Sequence, residues 1–142
     1  HIYSAKEVWM NTKMQNKSAL REEIIFGRPI AWGQEEIGGV VRFDGLFVED
    51  LNLLFEEGLI DPDDCQNESP AAAIFFDFMK LFPDVYAHGY VVSPFRSDSR
   101  VTIEGLAFKG NVSMDLRNAF VNLCREADDL RVGESSLFSW WD

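Results

Sequence analysis

Between Ser69 and Pro83 the chain reads Ser-Pro-Ala-Ala-Ala-Ile-Phe-Phe-Asp-Phe-Met-Lys-Leu-Phe-Pro, and this stretch constrains the fold most. Ser69 offers an oxygen to cap a helix start, Pro70 suits the first helical position, and Pro83 forbids continuation. At 100° per residue, Ala73, Asp77 and Lys80 form one narrow stripe, with Asp77 and Lys80 spaced to pair. Every other side carries Ile74, Phe75, Phe76, Phe78, Met79, Leu81 or Phe82. A helix so apolar must be surrounded by protein, and it is too short to cross a bilayer. It is therefore expected to be the hub of the core, with Phe75 and Phe78 buried.

A chain of 142 residues fits a single domain, 1–142, with a core that needs no staples. Two cysteines, Cys65 and Cys124, make no disulfide framework. No apolar run reaches membrane length and no signal peptide opens the chain, so a soluble, cytoplasmic protein that meets no membrane is expected.

Other elements follow from caps and periods. Ser4–Glu7 reads as a capping box, followed by Val8, Trp9, Met10 and Met14. A break near Asn16 and a second start at Ser18 are expected, ending at Gly27 before Pro29. Residues 30–39 show no period and read as loop, and Val40–Phe43 as a short strand. Asp44 or Gly45 is then expected to open a helix reaching Glu57, with Phe47, Leu51, Leu54 and Phe55 inward and Glu49, Asn52 and Glu56 outward. Gly58 suits a left-handed stop with Leu59 packing back on Leu54, and Asp61-Pro62-Asp63-Asp64 restarts a helical turn.

Beyond Pro83 the period becomes two. Residues 85–93 and 100–108 read as a hairpin. If Ser93 pairs with Arg100, Tyr86, His88, Tyr90 and Val92 lie opposite Ala107, Gly105, Ile103 and Val101. Ser113 caps a last helix carrying Leu116, Ala119, Phe120, Leu123, Ala127 and Leu130. Leu137–Trp141 is either a strand or a docking plug. The fold class expected is α+β, about five helices around a small antiparallel sheet that contains the hairpin.

Element order resembles that of a winged helix. Its recognition helix would be the Phe-rich one, whose sole base is Lys80, and specific DNA contacts need an electropositive face. No nucleic-acid partner is expected.

Charge points to another kind of partner. The net charge is −11, and residues 44–77 hold ten acids and no base. Such a segment repels nucleic acid and attracts basic partners or cations. The calcium-loop pattern fails from Asp61, because Cys65, Gln66 and Ala72 stand where ligands and the turn glycine belong. No metal or cofactor is expected. The leading reading is a non-catalytic interaction module, of the immunity, antitoxin or inhibitor kind, that binds a basic protein. Its contact residues would be Glu49, Glu56, Asp61, Asp63 and Asp64, with Trp141 as an aromatic anchor. The opposing reading is a small metal- or carboxylate-dependent enzyme using His88 and the acids of the 61–64 turn. Glu104 should face away from His88 in the expected register, so no dyad is implied. Cys65 and Cys124 lack the setting of a nucleophile.

Overall fold

The computed structural model describes residues 4–33 and 39–142, with the backbone alone for residues 6–15. Four helices and five strands are seen among these residues: α1 (Ala5–Phe26), β1 (Val40–Leu46), α2 (Val48–Glu56), α3 (Ala72–Leu81), β2 (Tyr86–Val92), β3 (Val101–Lys109), α4 (Met114–Cys124), β4 (Asp129–Val132) and β5 (Ser136–Trp140). The strands form one antiparallel sheet in the order β1-β2-β3-β5-β4. The α+β class stands, with four helices where about five were expected. The hairpin lies inside this sheet, not at its margin as a wing would.

One face of the sheet is the core face. Phe43, Leu46, Ala87, Val91, Val101, Ile103, Leu106, Phe108 and Leu137 share a single apolar cluster with Leu51 and Leu54 of α2, Phe75, Phe78 and Met79 of α3, and Leu116, Phe120 and Cys124 of α4. The opposite face carries Arg42, Asp44, Tyr86, His88, Tyr90, Phe138 and Trp140 by alternation.

α1 runs unbroken through Asn16, so the expected break is absent. The side chains of the Ser4–Glu7 capping box beyond Ala5, and those of Val8, Trp9, Met10 and Met14, lie outside the described residues, as do 34–38 of the expected loop. The C-terminal end of α1 holds a buried pair. Arg21 and Glu22 are 7% and 2% exposed, and Arg21 Nη2 donates to Glu22 Oε1 at 2.7 Å. Arg21 also donates to Ser99 Oγ and the Val92 carbonyl, while Trp32 Nε1 donates to Glu22. A charge this deep needs such saturation of its donors and lone pairs. The pair thereby fastens α1 to the turn of the β2–β3 hairpin.

β1 is longer than expected and takes Asp44–Leu46 from the predicted helix. The ladder slips between Asp44 and Leu46, leaving Gly45 as an extra residue at φ +121°. That bulge returns Leu46 to the core face, where it is 2% exposed. α2 starts at Val48, and its end is as expected. Leu59 N–H donates to Leu54 O at 2.8 Å and Gly58 N–H to Phe55 O at 3.1 Å, the paired bonds of a Schellman ending, with Gly58 at φ +65°.

α3 is the core helix foreseen, although it begins three residues after Ser69. Ser69 Oγ accepts from Gln66 N–H at 2.8 Å and so caps a loop turn instead. The first amides of α3 are satisfied from the chain before it: Ala72 N–H donates to Asp64 O and Ala73 N–H to Pro62 O, each at 2.9 Å. Main-chain carbonyls thus do the capping that Ser69 was expected to do. Asp77 and Lys80 pair at 3.1 Å as their spacing predicts. α4 is capped by Ser113, whose Oγ accepts from Leu116 N–H, but it stops at Cys124. Residues 125–128 turn the chain, and Leu130 belongs to β4.

Candidate functional site

Glu49 and Glu56 stand on the outer side of α2, two turns apart, and both are exposed. Asn52 lies between them and donates to Glu56 Oε1 at 2.9 Å. After the Schellman ending come Asp61 and Asp63, also exposed. Asp61 Oδ1 accepts from Asp63 N–H at 2.9 Å and Asp64 N–H donates to Asp61 O at 3.1 Å, so 61–64 is an Asx-stabilised turn and not a turn of helix. Among the described residues, no Lys or Arg lies within ion-pair distance of Glu49, Glu56, Asp61 or Asp63.

Asp64 departs from this set. It is half-buried, and its Oδ2 accepts from the Thr102 hydroxyl at 3.3 Å. Burial pushes its carboxyl above the usual range, opposed by Thr102 and by the nearby Arg100 guanidinium. Trp141, expected as an aromatic anchor for a partner, is buried instead. It is 1% exposed and meets Phe75 edge-on at 5.6 Å between ring centres. Alternation along β5 places Trp141 with Leu137 and Ser139 on the core face, where it packs on Phe75 of α3, while Phe138 and Trp140 lie on the opposite face.

A second polar cluster occupies the middle of the face opposite the core, and the register explains it. His88 pairs with Gly105, as expected, but Gly89 pairs with Ile103 and Tyr90 with Thr102. Glu104 is the extra residue of a bulge, so it does not point away from His88 as simple alternation required. Its carboxylate is 3% exposed, accepts from Arg42 of β1, and accepts from Trp140 Nε1 at 3.2 Å. One buried carboxylate on the central strand therefore ties side chains of β1 and β5. The bulge is marked in the period of β3, whose core positions switch from odd at Val101 and Ile103 to even at Leu106 and Phe108.

His88 is 9% exposed, lies flat on Phe138 with 8° between the rings, and reaches across Gly105 to the Ser139 carbonyl at 2.7 Å. A carbonyl can only accept, so Nε2 carries the proton and donates. Burial lowers the His88 pKa, against the raising effects of the Ser139 carbonyl, Glu104 and Asp44. The carboxylates acting on His88 are these two, and not the acids of the 61–64 turn. The folded state therefore favours neutral imidazole, and the unfolded chain binds the proton more readily. Stability from His88 is present above its unfolded pKa of about 6.5 and is lost as pH falls from there towards the lower folded value. Urea melts between about pH 7.5 and 5.5 should show wild type losing stability more steeply than His88→Gln. Parallel profiles would contradict this environment.

Burial pushes the Cys124 thiol up to about 11, which keeps it protonated and inert. Cys65 is exposed in its loop. Among the described residues no three His, Cys, Asp or Glu side chains are grouped to hold a metal ion, and no helix is long and apolar enough to cross a membrane. No protein-family model, curated protein or solved structure matches the chain.

Proposed function

We propose that this chain is a non-catalytic interaction module that binds a basic partner protein through the acidic surface of α2 and the 61–64 turn. Neutralisation of a basic enzyme by an immunity, antitoxin or inhibitor protein is the mode of action this charge suits. The observation that supports it is the set Glu49, Glu56, Asp61 and Asp63, all exposed and none within ion-pair distance of a Lys or Arg among the described residues. Uncompensated charge of one sign is mildly destabilising to the fold, whereas it accelerates encounter with a partner of opposite sign. Affinity would then come from burying the partner's basic surface, with steering setting the rate.

The test is kinetic. A basic partner recovered from the native host should associate with the chain roughly tenfold or more slowly when ionic strength rises from about 0.01 M to 1 M, as the screening length falls from about 30 Å to 3 Å. The variant Glu49→Gln/Glu56→Gln/Asp63→Asn should show a lower on-rate with its melting temperature nearly unchanged. An on-rate indifferent to both salt and these three substitutions would refute the reading.

A further inference from the structure

The loop that joins α2 to α3 runs beside the turn of the β2–β3 hairpin, and a groove lies between them. It consists of a cavity of about 470 Å³ next to Asp61, Asp64 and Val101, and a second of about 320 Å³ next to Lys17, Arg21 and Arg96. Gly58, Leu59 and Ser99 line both, so the two are adjacent. Concave sites for small ligands span about 300–1,000 Å³, so the groove suits a short segment and not a whole protein surface.

The groove is polarised. At one end, Asp61 and Asp64 have no cation within ion-pair distance among the described residues. Arg100 stands near but is committed elsewhere: Nε donates to Thr102, Nη2 to Tyr90, and Nη1 to Asp98. Asp98 is itself bridged by both Arg96 and Arg100, which cancels its charge. At the other end Arg21 is spent on Glu22 and the hairpin turn, while Lys17 is exposed and has no ion-pair partner among the described residues. Leu59, Ile60 and Val101 beside the acids and Pro94 in the second cavity add apolar surface to the walls, which suits the methylene stem of a long basic side chain.

We propose that this groove receives an extended segment of the partner, with a basic side chain against Asp61 and Asp64 and an acidic one against Lys17. The inference rests on the reading of the chain as an interaction module and names where that contact becomes specific. Charge of both signs at opposite ends sets the direction of the bound segment as well as its chemistry.

The full chain, labelled for amide NMR, is titrated with the blocked tetrapeptide Arg-Gly-Gly-Glu and with the uncharged Gln-Gly-Gly-Gln. The charged peptide should shift the amides of Gly58, Leu59 and Ser99 saturably, and Asp64→Asn and Lys17→Gln should each weaken it about 2–5-fold, the range of an exposed ion pair. Both side chains are at least partly exposed, and an unchanged amide spectrum of each free variant verifies its fold. Equal binding of the uncharged peptide, shifts centred on α2, or indifference to either substitution would overturn the proposal. If the groove fails while Glu49→Gln/Glu56→Gln/Asp63→Asn still slows the partner, the interaction reading survives alone. If the peptide binds and that triple variant leaves partner kinetics untouched, the acidic surface is the part in error.

Discussion

Gly105→Ala should destabilise the fold by about 3 kcal/mol or more, equivalent to a fall of roughly 10 °C in melting temperature for a chain of this size. A Cβ at position 105 would lie 2.0 Å from the Ser139 carbonyl oxygen, 2.7 Å from its carbon, and 2.9 Å from His88 Nε2. Two of these atoms are backbone and cannot swing aside. Relief requires β5 to move off β3, which also breaks the His88–Ser139 bond and shifts Trp140 from Glu104. Gly89→Ala should behave alike, since its Cβ would meet the Thr102 carbonyl oxygen at 1.9 Å. Gly33→Ala is the control, with no atom of the described residues within 4 Å of the added carbon. Thermal melts in which Gly105→Ala stays within about 1 kcal/mol of wild type would show that β3 and β5 do not approach this closely.

Phe75→Ala should cost about 3–5 kcal/mol, the range for emptying a buried aromatic site. Phe75 is fully buried, and its ring meets that of Trp141. Phe78→Ala belongs in the same range, because Phe78 is 8% exposed and touches the rings of Phe82 and Phe120. Leu81→Ala on the same helix should change stability by less than about 0.5 kcal/mol, because Leu81 is 76% exposed. Denaturant melts separate these cases directly. A double-mutant cycle between Phe75 and Trp141 should give a coupling of about 0.5–1.5 kcal/mol beyond the lost area. A loss under about 1 kcal/mol for Phe75→Ala would remove α3 from the centre of the core.

What was legible in the sequence had a local cause. The Gly58–Leu59 helix ending, the Ser113 cap and the Asp77–Lys80 pair each depend on residues within one turn, and each is present. The hairpin register holds from Tyr86 to His88 and fails at Gly89, because a bulge inserts Glu104 and moves the core positions of β3 from odd (Val101, Ile103) to even (Leu106, Phe108), a switch that an uninterrupted register ignores. The bulge at Gly45 likewise converted three expected helical residues into strand. Ser69 failed as a cap because carbonyls from Pro62 and Asp64 reach the helix start first, a tertiary event that no cap rule anticipates. β4 was hidden because Ala127, in the turn after α4, and Leu130, in β4, continue the helical spacing of α4. For the site, exposure of Glu49, Glu56, Asp61 and Asp63 was readable from the helix face and the turn. The groove needed two loops 40 residues apart to be brought together, and Glu104 needed the bulge.

The main-chain capping of α3 has a consequence for how this protein can change. The 61–64 turn is fastened to the core helix by the carbonyls of Pro62 and Asp64, which any residue at those positions would supply. Asp63 takes no part through its side chain, and Asp61 uses its own only for the Asx bond to Asp63 N–H. The loop is thus held in place, with little ordering entropy left to lose on association, while side-chain identity at its tip is nearly free. Substitution at Asp63 can therefore proceed without eroding the fold.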